Sequence, residues 1–164
     1  MSATDIAVRM TGIHKRFGAV RANEAVNLTV AAGSVHALVG ENGAGKSTLM
    51  SVLYGMYALD SGAIEVFGKA ASLRSTHDAI ALGLGMVHQH FMLVDTLTAL
   101  ENVMLGAEPS FLLRRAEAAV RPRMQRLMES TGLHVALDAR TGDLPVGDRQ
   151  RLEILKVLDR KSVV

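Results

Sequence analysis

The chain contains no cysteine, which excludes disulfides and thiolate metal sites and is compatible with a reducing compartment. It also has no run approaching the ~20 consecutive apolar residues that a membrane-spanning helix needs. Any membrane involvement is therefore expected to depend on another chain. Net charge is small: 18 basic and 16 acidic residues leave +2. That balance is too weak to make nucleic acid the main partner, and the scattered basic residues read as solvated surface. There is no internal repeat and no low-complexity tract. The start, Met1-Ser2-Ala3-Thr4-Asp5, lacks the basic run and apolar stretch of a secretory signal. What is present is ordinary globular material. The 164 residues are 49% hydrophobic and 21% charged, enough for one domain with a core.

Along the chain, strands come first and helices after. Ile6 to Thr11 alternates apolar and polar residues, as a half-buried strand does. Ala25 to Val30 alternates again, and Ala31-Ala32-Gly33 turns the chain. Ser34 to Val39 runs nearly apolar, which predicts a strand ending at Gly40. Lys46 to Gly55 has helical spacing, with Leu49, Val52 and Leu53 on one side. Asp60-Ser61-Gly62 signals a turn, Ala63 to Phe67 a strand ended by Gly68, and Ser75 to Leu82 a helix capped by Ser75 or Thr76. Gly85 to His88 reads as a short buried strand.

After Gln89 the pattern becomes helical, over Thr98 to Leu105, Arg114 to Thr131 and Asp148 to Asp159. The second of these sets Ala118, Met124, Leu127 and Met128 on an apolar face, where methionine fills core space. The third relies on Leu152, Leu155, Val157 and Leu158. No Pro/Gly/Ser linker separates the two parts, so residues 90–160 are expected to form a mainly helical subdomain beside residues 1–89.

Gly40-Glu41-Asn42-Gly43-Ala44-Gly45-Lys46-Ser47 fits G-x-x-x-x-G-K-[ST], after an apolar strand pattern and before a helical one. Glycines let successive backbone N–H groups turn inward around phosphate oxygens. The helix start adds the positive end of its dipole. In this loop type the lysine, here Lys46, reaches the β- and γ-phosphates, and the hydroxyl, here Ser47, ligates the Mg²⁺ that bridges them. The loop selects neither the base nor the reaction.

The surrounding residues narrow the choice. Gly40 to Leu49, GENGAGKSTL, resembles the phosphate loop of ABC-transporter ATPases and includes Thr48. His14-Lys15-Arg16-Phe17-Gly18 resembles the segment whose aromatic stacks on adenine, Phe17 here, although a phenylalanine also suits a core position. Asp60-Ser61-Gly62 with Ile64 and Gly68 resembles the D-S-G-x-I-x-x-x-G run of these ATPases. Gln89 stands where the family has the glutamine that touches Mg²⁺ and the attacking water and links the site to the membrane partner; by residue type alone it is also a surface glutamine. Leu144-Pro145-Val146-Gly147-Asp148, followed by Arg149-Gln150-Arg151, occupies the place of the signature segment, usually LSGGQ. In the family that segment caps the γ-phosphate held by the opposite subunit of a dimer. Here Pro145 removes a hydroxyl donor and Asp148 adds a negative charge.

The resemblance runs from about Val8 to Leu158 and is greatest to importers of simple sugars and nucleosides, through Met86-Val87-His88-Gln89-His90-Phe91, Thr98-Ala99-Leu100-Glu101-Asn102-Val103 and Asp143 to Glu153. It implies an α/β fold of the P-loop NTPase, ABC ATPase type, with an inserted helical subdomain. It also implies ATP and Mg²⁺ as cofactors, a second ABC ATPase domain and transmembrane permease subunits as partners, and a place at the cytoplasmic face of the membrane.

One family element is missing. No Asp-Glu pair occurs in the chain, so no catalytic residue is assigned, and the domain is expected to be incomplete at its C-terminus, as a fragment or a frame-shifted product. Ile154 to Asp159 is read as helix rather than as the missing acidic strand, because Glu153 and Lys156 suit a helix face. His77, His88, His90 and His134 show no metal-ligand pattern and read as surface or loop residues. The competing readings are a soluble ABC-type ATPase of translation or DNA repair, a non-functional remnant, and a P-loop kinase, which leaves the signature segment unexplained.

Overall fold

The alternation of Ile6, Val8 and Met10 with polar neighbours builds a strand that buries one side and wets the other, and the strand is longer than the alternation suggests. In the computed structural model, which describes residues 6–88, 91–105 and 113–161, β1 spans Ile6–Phe17 and pairs antiparallel with β2, Val20–Ala31. A register shift between Met10 and Ile13 carries β1 past the point where alternation stops, and Ile13 is completely buried. The Asn27 side chain accepts from the Gly12 N–H at 2.8 Å in this stretch. On the other edge of β1 lies β3, Ser61–Val66, followed by the two-residue β4, Lys69–Ala70. The order is β2-β1-β3-β4, antiparallel throughout.

Two helices belong to the same part of the chain. Helix α1, Lys46–Leu53, buries Leu49 and Val52. Helix α2, Thr76–Ala81, starts at a capping box in which Ser75 Oγ accepts from the Asp78 N–H and the Asp78 carboxylate accepts from the Ser75 N–H. That settles the choice between Ser75 and Thr76. The core here joins Val8, Met10, Ile13, Leu49, Val52, Ile64, Val66, Leu73 and Ala79. Removing a side chain such as Leu49 from it costs roughly 2–5 kcal/mol.

Two expected strands are not formed. Ser34 to Val39 has no regular structure and is exposed throughout, Val35 and Val39 almost completely. Gly85 to His88 is irregular as well. A buried strand of this type is held by ladders on its edges, and no described strand registers with either segment. The apolar pattern is therefore present without pairing partners.

The chain divides into two compact units, Met1–Leu84 and Gly85–Val164. The second is helical: α3, Ala99–Met104; α4, Leu113–Thr131; and α5, Val146–Lys161, with a 3-10 turn at Thr141–Asp143. Thr98 caps α3 in a second capping box with Glu101. The core joins Leu100, Val103, Met104, Met124, Met128, Leu137, Leu144, Leu152 and Leu155, among others. Met124 is fully buried, which agrees with its reading as core filling. Ala118 is exposed, and Val120 packs against the core in its place.

Helix α5 starts at Val146, two residues before the sequence suggests, because the Pro145 carbonyl accepts from both Asp148 and Arg149. Ile154 to Asp159 is indeed helix. Asp159 is buried against Arg123: Nη2 donates to Oδ2 at 2.6 Å, and Nε approaches Oδ1 at 2.5 Å. The second approach lacks hydrogen-bond direction and counts as a charge contact. Glu153 and Lys156 both lie on this helix, and Glu153 turns inward. It is 3% exposed and accepts from the Met92 N–H at 2.9 Å, while Lys156 donates to the Met92 carbonyl at 3.0 Å.

Candidate functional site

Gly40 to Gly45 leads directly into α1, and the backbone explains why glycine is needed at its end. Gly45 has φ 82, in the left-handed region, and a Cβ there would lie 2.1 Å from the Ala22 carbonyl oxygen and 2.7 Å from the Asn23 amide nitrogen. Both neighbours belong to β2. Asn23 is buried and donates from Nδ2 to the Gly45 carbonyl at 3.2 Å; its Oδ1 has no hydrogen-bond partner among the described residues. The loop is thus seated on the sheet through one glycine and one asparagine. Within it, the Ala44 N–H donates to the Glu41 carbonyl at 3.2 Å, and Gly43 has φ 85.

The start of α1 is prepared for an anion. Its cap residue is Gly45, no side chain caps it, and its first turn contains no acidic residue. The first N–H groups of a helix lack intrahelical partners and carry the positive dipole end. Lys46 Nζ donates to the Gly40 and Glu41 carbonyls, each at 2.7 Å, so the ammonium spans the loop. Ser47 is exposed and Thr48 half-buried, while Glu41, Asn42, Gly43 and Ala44 are exposed. Gly43 and Gly45 with positive φ, an uncapped helix start, one ammonium and the exposed Ser47 form a donor set that fits a polyphosphate with a divalent cation. Among the described residues no group of three or more His, Cys, Asp or Glu could hold a metal ion. Among the described residues, the Ser47 hydroxyl is the group that the phosphate-loop pattern offers to a cation. His77 and His134 are exposed and His88 is half-buried.

Phe17 closes the β1–β2 hairpin opposite Val20, across the two-residue turn Gly18-Ala19. Gly18 has φ 57, as hairpin turns with glycine first require. Phe17 is 43% exposed, which answers the core alternative: the ring is on the surface. Tyr57 meets it edge-on with centroids 5.1 Å apart, and Lys15 Nζ lies 5.4 Å above its centroid. Asp60 binds the same segment. It accepts from Lys15 Nζ at 2.9 Å and from the Arg16 N–H at 2.7 Å, and its own N–H donates to the His14 carbonyl at 2.9 Å. The Lys15 hydrogen bond, with that of Arg16, holds the Asp60 carboxyl below its ordinary pKa. The sequence marks Asp60 through its D-S-G run but not its partner, and nothing in the sequence marks Tyr57 or Asn23.

The signature-like segment lies in the helical unit. Leu144 is buried, whereas Pro145, Val146 and Gly147 are exposed, and a Cβ on Gly147 would meet nothing within 4 Å. Asp148 pairs with Arg151 at 2.6 Å, which offsets its charge. Arg149 ties the helix start to the preceding turn through the Leu144 carbonyl at 3.0 Å and the Gly142 carbonyl at 2.5 Å. Gln89 and His90 lie outside the described residues. The phosphate loop and Phe17 thus share the sheet unit, and the signature-like segment runs into the start of α5 in the helical unit.

This is a phosphate-loop fold, and comparison with known proteins places it further: the ABC transporter family matches residues 23–164, and the chain belongs to that family. It is 46% identical over 156 residues to the guanosine import ATP-binding protein of Bacillus subtilis (strain 168), covering 95% of this chain and 31% of that protein. It is 48% identical over 172 residues to a putative carbohydrate transport ATP-binding protein of Mycoplasma pneumoniae, covering 96% of this chain and 30% of that one. The chain therefore spans about a third of the length of these relatives. Among solved structures, an ATP-binding cassette of an ABC transporter in its ADP conformation superposes with a TM-score of 0.81 at 24% identity, over 94% of this chain and 65% of that one. That likeness supports the fold, an ATP-binding cassette in part. No helix among the described residues is long and apolar enough to cross a membrane.

Proposed function

We propose that the chain is the ATP-binding part of an ABC importer subunit that couples ATP binding and hydrolysis to uptake of a small solute, a nucleoside or a simple sugar. The observation that carries this reading is the phosphate loop seated by Gly45 against β2 and opening into an uncapped helix. Residues 1–89 hold the nucleotide, and residues 90–160 form the helical subdomain. Backbone N–H groups from Gly40 to Thr48 surround the phosphates. Lys46 exchanges its two carbonyl partners for phosphate oxygens, and Phe17 stacks on adenine. Ser47 and Gln89 would hold Mg²⁺, which would supply positive charge to the phosphates. Leu144 to Asp148 contacts ATP held by a second ABC ATPase domain. Permease subunits hold the protein at the cytoplasmic face of the membrane. The guanosine import and carbohydrate transport in these relatives' names support the solute class.

The 164 residues contain no Asp-Glu pair, the pair that in the family holds Mg²⁺ and orients water, so this chain is expected to bind ATP without turning it over. Binding alone does not accelerate the chemical step. The test is a titration of Mg-ATP into the chain and into Lys46→Ala, together with phosphate release by both. A hydrogen bond to a charged group contributes about 1.5–3 kcal/mol, so Lys46→Ala should bind roughly 10- to 100-fold more weakly. Phosphate release should equal the Lys46→Ala blank. Equal affinities would remove the loop from the proposal, and release above the blank would reveal a catalytic acid elsewhere in the chain.

A further inference from the structure

The two aromatics and the charges around the hairpin tip form a unit of their own. Phe17 ends β1 with 43% of its surface exposed, and a lone ring on a two-residue hairpin has little to fix its rotamer or the path of its backbone. Here it has three supports. Tyr57, two residues past the turn that ends α1, meets it at an interplanar angle of 76°. Lys15 lies over the ring and is held there by Asp60, its own side chain only 14% exposed. The Asp60 carboxylate also accepts from the Arg16 N–H, the residue directly before Phe17, while the Asp60 N–H closes back on His14. A single acidic residue thereby pins three consecutive residues, His14 to Arg16, and places a cation on the ring they precede.

We propose that Asp60 and Tyr57 are positioning residues that hold Phe17 as a ready-made platform for a flat base. This rests on the reading above that Phe17 stacks on adenine. In edge-on contact Tyr57 fixes the plane of the Phe17 ring. Asp60 fixes the backbone that carries it and, through Lys15, occupies one side of the ring. A ligand arriving at the remaining exposed surface meets a ring already oriented, so less ordering is lost on binding.

The test separates base from phosphate. Mg-ATP and magnesium inorganic triphosphate are each titrated calorimetrically into the full chain, Phe17→Ala, Asp60→Asn, Tyr57→Ala, Tyr57→Phe and Lys15→Met. The Asn side chain retains one acceptor but turns an N–H₂ toward Lys15. Loss of a stacked base weakens binding by roughly 5- to 150-fold, and loss of its support should weaken it by a part of that. We expect Asp60→Asn and Tyr57→Ala to bind ATP about 3- to 10-fold more weakly, with triphosphate affinity within about twofold of the parent. Tyr57→Phe keeps the edge contact and should behave as the parent. Lys15→Met leaves the Arg16 to Asp60 bond in place and should show a smaller loss, again for ATP alone; it serves also where Asp60→Asn does not fold. Equal losses for ATP and triphosphate would make these residues part of the general scaffold and overturn the proposal. A loss of ATP affinity in Phe17→Ala with none in the support variants would overturn it too, leaving the stacking reading intact. No effect of Phe17→Ala on ATP would overturn that reading itself.

Discussion

The sheet unit and the helical unit hold their functional segments by different means. In the sheet unit the candidate phosphate loop leads into α1 and Phe17 ends a strand at a turn, both fixed by contacts to the backbone: Asn23 to Gly45, Asp60 to Arg16. In the helical unit the signature-like segment opens a 16-residue helix that is fixed by buried polar side chains. Among the described residues, the buried polar or charged ones are Asn23 in the sheet unit and Asn102, Thr141, Glu153 and Asp159 in the helical one. Asn102 shows the device most fully. It accepts from the Val94 N–H and donates to Val94, Thr98 and Thr141, joining two loop segments to α3. Apolar packing of helices tolerates sliding, whereas a satisfied buried amide permits one arrangement. The sheet needs fewer such groups because its ladders already set register.

The largest expected effect tests the helical side of this contrast. Asp159→Ala would strand Arg123 beside an empty buried position. Breaking a buried pair typically costs 3–5 kcal/mol, and about 3 kcal/mol is expected here because the Arg123 side chain is 31% exposed. The readouts are the midpoint of chemical unfolding and amide exchange across α3, α4 and α5. A loss below ~1 kcal/mol would show that the helices are held by packing alone.

Next comes the sheet side. Gly45→Ala combines a left-handed φ with a Cβ 2.1 Å from a carbonyl. The strain, of order 1–3 kcal/mol, should appear chiefly as weaker triphosphate binding, because the loop shifts to relieve it. Unchanged binding would mean that the seat on β2 does not set the loop's shape.

A smaller effect compares one device in both units. Ser75→Ala and Thr98→Ala each delete the side chain of a capping box, and each should lower stability by about 1 kcal/mol. Thermal melts of the two variants should therefore match, and a large inequality would show which unit depends more on its short helix.

The smallest effect is acid sensitivity. The Asp60 and Asp78 carboxyls in the sheet unit, and those of Glu101 and Asp138 in the helical unit, are all held below their ordinary values. Lys15 is the leading cause for Asp60, the Arg74 N–H for Asp78, Thr98 for Glu101 and Arg121 for Asp138. Each therefore contributes stability that is complete above its unfolded value, 3.8 for Asp and 4.5 for Glu, and lost as pH falls through its lower folded value. Unfolding midpoints should stay flat above about pH 5 and drop below pH 4. A rise in stability on acidification would reverse the sign assigned to these groups.

Much of the site was legible because its chemistry is local. The loop from Gly40 to Ser47 carries its own turn chemistry, and α1, α3, α4 and α5 follow from spacing within single segments. Ser34 to Val39 was misread for the converse reason. Its apolar run is a statement about what it would pair with, and pairing partners are not written in the segment itself. Glu153 lies on a helix, as its setting suggests, but a helical wheel cannot show the Met92 N–H that draws it into the interior. Asn23 and Tyr57 lay beyond reach: a lone asparagine in a strand and a lone tyrosine after a helix carry no spacing signal until Gly45 and Phe17 are placed beside them. Pro145 removes a hydroxyl donor from the signature-like segment, and its carbonyl starts α5 two residues earlier than the spacing suggests.

The exposed run from Ser34 to Val39 sets how long a solution of this chain stays clear. Val35 and Val39 are almost wholly open and Leu38 is 40% exposed, in a stretch without regular structure and with no described ladder on either edge. Two copies meeting at this segment can satisfy each other's backbone groups and bury their valines together. The rate of that encounter rises with the square of concentration, whereas unfolding of a single molecule does not depend on concentration. Turbidity in storage should therefore follow dilution rather than temperature near the melting point, and one charged residue at Val39 should lengthen the clear period without moving the melt.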